Sequence, residues 1–177
     1  MKAIETSFLG YRFRSRAEAR WAVFFNTLGL DFVYEPEGFK LPVGRYLPDF
    51  FIPFRSQDGV YVEIKGGNPT FEERMKCRSL ARKTGKPVYL LYSNPMNVVI
   101  KAIEFRPIRL FWITLFVRSS DWAKKRGKLP FADHQRLVDV FCNGQKRRTR
   151  QGLIEDAILA VRSARFEHGE KPAGRPD

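Results

Sequence analysis

Two acids and one lysine have the residue types and spacing to do chemistry: Asp49, directly after Pro48, and Glu63, followed two residues later by Lys65. Carboxylates facing each other on neighbouring strands repel, and a divalent cation held between them reverses the sign of that interaction. Mg2+ accepts such a pair together with waters and a substrate phosphate, and Mn2+ is expected to substitute for it. An ion bound this way activates water and stabilises charge on phosphate oxygens, as phosphodiester hydrolysis requires. Lys65, on the face of Glu63, can orient that water and donate to the developing charge.

The elements around these residues must hold them in place. Residues 45–53 and 60–65 are short and rich in aromatic and β-branched side chains, which predicts strands. Residues 55–59 have turn chemistry, so the two strands are expected to form an antiparallel hairpin. Asp49 and Glu63 are symmetric about Ser56, and a regular hairpin would put their Cβ atoms about 5 Å apart. Strand alternation places Leu47, Asp49 and Phe51 on one face, with Tyr61, Glu63 and Lys65 likewise sharing a face, and turns Val60, Val62 and Ile64 toward a core.

Before the hairpin, residues 15–28 predict a helix capped by Ser15, with Ala17, Trp21, Phe24, Phe25 and Leu28 at helical spacing and Gly29 at its end. A short strand is expected over 31–35. After the hairpin, Thr70 caps a helix reaching about Lys83, and residues 88–92 predict a strand. Strand, crossover helix and strand make a right-handed parallel connection, so the expected fold is α/β with a mixed sheet flanked by helices.

Pro48-Asp49 with Glu63-Ile64-Lys65, behind a helix containing Glu18 and ahead of one containing Lys76, resembles the PD-(D/E)xK nuclease superfamily. The resemblance covers roughly residues 13–92. Arg14-Ser-Arg-Ala-Glu-Ala-Arg-Trp21 and Tyr46-Leu-Pro-Asp-Phe50 look like small Holliday-junction-resolvase-like endonucleases of phages and prophages. The resemblance implies a restriction-endonuclease-like αβββαβ core. In it Asp49 and Glu63 are metal ligands, the Ile64 carbonyl adds a third oxygen, Lys65 is catalytic, and Glu18 is the helical acid that reaches the metal. Lys76 falls where relatives carry a polar residue facing DNA or the active site. Two of these residues have plain structural alternatives. Glu18, three residues after Ser15, completes a capping box, as Glu73 does after Thr70, and Lys76 fits a solvated helix face equally well.

The length of 177 residues suits one well-filled core, or a compact domain with an extension. The expected division is a nuclease core over 1–95 and a basic C-terminal extension over 96–177, with a disordered tail from about residue 169. A net charge of +13 calls for a polyanionic partner, and DNA is the expected one. Arg14, Arg16 and Arg20 near Glu18, Lys124, Lys125, Arg126 and Lys128, and the cluster Lys146, Arg147, Arg148 and Arg150 are its candidate phosphate contacts.

Residues 108–117 read as a buried strand or a buried helix, and helices are expected over 131–142 and 153–166. The extension is expected to grip duplex DNA or to build a homodimer. No apolar run approaches the roughly 20 residues that cross a bilayer, so no membrane partner is expected. Cys77 and Cys142 lack metal-ligand spacing, which fits reduced thiols in a cytoplasm, and His134 and His168 have no partner motif. The expected activity is Mg2+-dependent hydrolysis of DNA, and the resemblance implies branched or structured DNA as the substrate. The alternatives are a non-catalytic nucleic-acid-binding protein on the same scaffold and a phage assembly protein with a basic face.

Overall fold

A computed structural model describes residues 6–54, 57–96, 99–108, 110–116 and 147–164. The described residues are α/β, with a mixed central sheet and three helices among them. The chain divides into two compact units, and each draws on both halves of the sequence.

The first unit contains β1 (Thr6–Phe8), β2 (Tyr11–Phe13), α1 (Arg16–Thr27) and α3 (Arg147–Ser163). β1 and β2 form an antiparallel hairpin that the strand signals of the sequence do not mark. Its two turn residues, Leu9 and Gly10, both have positive φ, and such a turn matches the twist of the strands it joins. α1 starts where expected: the Ser15 side chain accepts the Glu18 N–H. At its far end Gly29, in the left-handed region, lets the Leu30 N–H reach Phe25 O at 3.0 Å. Trp21, Phe24 and Phe25 are fully buried and meet ring to ring, Trp21 and Phe24 edge-on with centroids 5.2 Å apart.

α1 packs on α3, whose Ile154, Ala157, Ile158 and Val161 recur at helical spacing and are buried. α3 begins at Arg147 rather than near 153, so Arg147, Arg148 and Arg150 of the basic cluster are helical. Nothing in Arg147-Arg-Thr-Arg150 breaks a helix, and arginine is a good helix former. The expected helix over 131–142, the basic cluster at 124–128 and the tail from 169 lie outside the described residues.

In the second unit lies a six-stranded sheet with the order β10 (Leu110–Phe116), β9 (Val99–Phe105), β8 (Val88–Leu91), β7 (Gln57–Ile64), β6 (Phe50–Phe54), β3 (Val33–Tyr34). The open choice over 108–117 is therefore resolved as a strand. β6 and β7 are antiparallel, and β7 joins β8 in parallel through α2 (Phe71–Thr84). The expected strand at 31–35 shrinks to two residues, because Glu35 turns out of extended geometry at φ 48°.

The expected strand at 45–53 is two strands belonging to different sheets. β5 (Gly44–Tyr46) pairs with β4 (Phe39–Leu41) in a separate hairpin, and β6 begins only at Phe50. Pro48 interrupts the run, having no N–H for a ladder and restricting Leu47 before it.

One face of the sheet packs on α2 through Tyr61, Val88, Leu90, Ile103 and Phe105 against Cys77, Leu80 and Ala81, with Leu41 of β4 joining them. On the opposite face Phe50, Ile52, Val60, Val62, Ile64 and Leu91 are buried as well. The face that carries the acids is thus itself largely core. Among the described residues no helix is long and apolar enough to cross a membrane.

The pairing Phe50↔Val62, Phe51↔Tyr61, Ile52↔Val60 has the predicted offset, and the register shifts only beyond Ile52. Gly59 makes that shift possible. Its φ is +90°, and a Cβ there would lie 2.4 Å from Ile52 O and 2.9 Å from Pro53 Cα, both main-chain atoms that cannot swing aside. Gly59→Ala is expected to lower stability by about 2 kcal/mol or more through strain and collision. An unchanged urea midpoint would show that the hairpin tolerates a side chain there.

Candidate functional site

The site grows from the hairpin register. The offset that pairs Phe50 with Val62, carried one residue further, sets Asp49 across from Glu63. Asp49 is fixed twice: its main-chain oxygen accepts the Glu35 N–H at 2.8 Å, and its Oδ2 accepts the Ile64 N–H at 2.7 Å. Ile64, expected to offer its carbonyl, is seen here through its N–H, which binds the first acid to the strand of the second.

Glu63 is held at both oxygens. Lys65 Nζ lies 2.8 Å from Oε1, the two side chains sharing a face at a spacing of two, and the Tyr46 hydroxyl donates to Oε2 at 2.6 Å. Asp49 and Glu63 are 4% and 5% exposed, so removing either side chain disturbs packing as well as chemistry. Lys65 keeps more contact with solvent and has a second carboxylate, Glu73 Oε1, at 3.6 Å.

Glu73 also completes the cap of α2. Its carboxylate accepts the Thr70 N–H at 2.7 Å while the Thr70 hydroxyl accepts the Glu73 N–H at 3.2 Å. The predicted capping box is present, and the same acid turns toward Lys65. Sequence reasoning missed that second role, and it missed Tyr46. The short segment Gly66-Gly-Asn-Pro69 between Lys65 and the cap was the available signal for Glu73. For Tyr46 there was none, because it stands on a strand of another sheet.

The electrostatics follow from this crowding. Burial alone would lower the Lys65 pKa, but Glu63, by charge and hydrogen bond, and then Asp49 and Glu73 outweigh it and raise the value above that of an ordinary lysine. Its ion pairing is therefore complete below the ordinary lysine pKa, about 10.4, and is lost only as pH rises past the raised value. Burial, then Cys77 and Glu63, push the Tyr46 phenol well above its usual range, so it remains an O–H donor. Burial and the Glu63 charge push the Cys77 thiol up too, and it lies 3.6 Å from the Tyr46 hydroxyl as a neutral packing group.

Glu18, Arg14, Arg16 and Arg20 belong to the first unit. Glu18 is buried, and its Oε1 accepts the Ser15 hydroxyl at 2.6 Å while its N–H donates to Ser15 Oγ at 3.2 Å. The reach-back is thus to the cap's hydroxyl. Arg14 is exposed, and Arg16 and Arg20 are half-buried. Lys76, on α2, pairs with Glu72 one turn earlier at 2.7 Å. Arg147, Arg148 and Arg150 fall in the opening turns of α3. Lys124, Lys125, Arg126, Lys128 and Lys146 lie outside the described residues.

Asp49 and Glu63 offer only oxygen donors, which suits a hard divalent ion. No group of three or more His, Cys, Asp or Glu set to hold a metal occurs among the described residues. The two carboxylates would therefore be the side-chain ligands, and water, a main-chain carbonyl or phosphate would supply the rest. That is the sparse protein shell Mg2+ tolerates. The chain matches no protein-family model, no curated protein and no solved structure.

The Ser15 and Glu18 contacts separate two roles by experiment. Ser15→Ala is expected to cost about 1 kcal/mol through loss of the cap. Glu18→Gln keeps an oxygen for the Ser15 hydroxyl and should leave the melting temperature nearly unchanged. Lost activity in the Gln variant at unchanged melting temperature would mark Glu18 as functional, and full activity would leave it a cap.

Proposed function

We propose that the chain is a metal-dependent DNA endonuclease of the PD-(D/E)xK type, with Asp49, Glu63 and Lys65 at its centre. One observation carries the reading: two buried acids stand at facing positions of an antiparallel hairpin, and the lysine two residues after the second acid contacts it on the same face. The chain order α1, β3, β6, β7, α2 and β8, with the separate hairpin β4–β5 inserted between β3 and β6 and a parallel step from β7 to β8, supports the restriction-endonuclease-like reading.

In this reading Asp49 and Glu63 hold Mg2+ or Mn2+, which when bound supplies an activated water and charge neutralisation at the phosphate. Lys65 remains an ammonium at working pH, donates to the charge developing on the phosphate and orients the attacking water. Tyr46 and the Ile64 N–H keep the two carboxylates from rotating. The net charge of +13 supports DNA as the polyanion, and a branched or structured duplex as the favoured substrate rests on the resemblance to resolvase-like endonucleases alone.

A second reading, a nucleic-acid-binding protein without turnover, has its own support: both Glu63 oxygens already have protein partners.

A cleavage panel of single strand, duplex, flap and four-way junction, with and without Mg2+ or Mn2+, separates the two. Since both acids are buried, the informative variants keep their shape. Asp49→Asn, Glu63→Gln and Lys65→Met are each expected to lower cleavage by at least about 100-fold with the fold retained. Metal-independent binding without cleavage by the wild type would favour the second reading.

Salt dependence tests the basic clusters. If Lys124, Lys125, Arg126, Lys128, Lys146, Arg147, Arg148 and Arg150 neutralise phosphates, log affinity falls against log salt by about 0.9 per phosphate on duplex DNA. Replacing either cluster with alanine should flatten the slope in proportion to the phosphates that cluster neutralises, and an unchanged slope would assign it to solvent.

A further inference from the structure

Tyr46 reaches the site from outside the sheet that carries the acids. Among the described residues its strand, β5, pairs only with β4, and that hairpin lies against α2, with Lys83 Nζ donating to Lys40 O at 3.2 Å. The docking carries the Tyr46 hydroxyl to 2.6 Å from Glu63 Oε2, with Cys77 Sγ on its other side at 3.6 Å. Asp49 repeats the pattern, its Oδ2 taken by the Ile64 N–H at 2.7 Å. In each acid one named oxygen is engaged by a neutral donor. On Glu63 the other oxygen faces Lys65, which has Glu73 as a second carboxylate within 3.6 Å.

That arrangement bears on which cation the acids can take. Ca2+ accommodates six to eight oxygens and readily takes both oxygens of one carboxylate, whereas Mg2+ holds an octahedron of single oxygens and keeps several waters. Both Glu63 oxygens have partners, but a neutral hydroxyl stays on Oε2 when a cation arrives, whereas the ammonium on Oε1 is repelled by it, so Oε1 is the oxygen that Glu63 presents.

We propose that Tyr46 is a positioning residue: by occupying Oε2 it limits Glu63 to Oε1, so that the site takes Mg2+ and Mn2+ in preference to Ca2+. The inference rests on the metal-dependent reading above and adds to it the determinant of ion choice. Loss of a partner that orients a metal ligand typically weakens metal binding by about 10–100-fold.

The test is calorimetric titration of MgCl2, MnCl2 and CaCl2 into the full chain without DNA, which requires no catalysis. Tyr46→Phe keeps the ring in place and removes only the hydroxyl. Mg2+ affinity is expected to fall about tenfold while Ca2+ affinity holds or rises, so the ratio of the two drops by at least that factor. Cys77→Ala, which spares the Tyr46–Glu63 bond, should keep the wild-type ratio.

Equal ratios in wild type and Tyr46→Phe, or the same drop in Cys77→Ala, would overturn the role of Tyr46. Divalent binding that Asp49→Asn with Glu63→Gln abolishes, but that ignores Tyr46→Phe, overturns this inference alone. Absence of divalent binding by the wild type removes the metal reading and this inference with it. Should Tyr46→Phe fail to fold, infrared difference spectra of the wild type decide. A single-oxygen carboxylate signature on adding Mg2+ supports the inference, and a two-oxygen signature overturns it.

Discussion

The bond from the Ile64 N–H to Asp49 Oδ2 is the constraint on which the site depends. Asp49 sits just before β6, where the chain has turned away from β5 after Pro48, and a residue at such a corner would ordinarily be free to point elsewhere. Anchoring its side chain to the backbone of β7 makes the position of the first acid a function of the strand that bears the second. The main-chain bond from Glu35 to Asp49 O closes the arrangement from the β3 side. Register, corner and carboxylate are thereby fixed together.

Burying two carboxylates side by side is costly unless donors replace the water they lose. The structure supplies these from three directions: the backbone of β7, the ammonium of Lys65 and the phenol of Tyr46. The hairpin β4–β5 and the helix α2 therefore do more than fill space. One delivers a hydroxyl and the other, through Glu73, a second carboxylate for the lysine. Replacing a buried ion pair by well-packed apolar residues of similar volume is often neutral or stabilising, so stability alone does not account for these acids.

Much of this is legible in the chain itself. The Ser15 and Thr70 caps, Gly29 and Gly85 after the first two helices, the hairpin offset about Ser56 and the parallel return to β8 are local signals, written in residues a few positions apart. The stretch 45–53 reads as one strand because its composition is uniform while its pairing is not. Only Pro48 marks the place where the chain changes sheets. Tyr46 is illegible for the same reason, since periodicity relates residues within a strand and says nothing of a hydroxyl brought in by another hairpin. The helical start of α3 is obscured by its charge, because a run of arginines has no apolar stripe to show a period. The burial of Asp49 and Glu63 also escapes, because alternation assigns a face without telling what covers it.

The partnership of α1 with α3 has a consequence for synthesis. The aromatic side of α1, with Trp21, Phe24 and Phe25, finds its helical partner in a segment that begins at Arg147. At ribosomal rates of about 5–20 residues per second the intervening chain takes on the order of ten seconds to emerge. Throughout that interval the nascent protein has a helix whose apolar stripe lacks that cover, while the sheet from β3 to β10 is already available to form. The first unit is thus completed only when α3 has emerged, and α1 is left without that partner for as long as the sheet takes to be made.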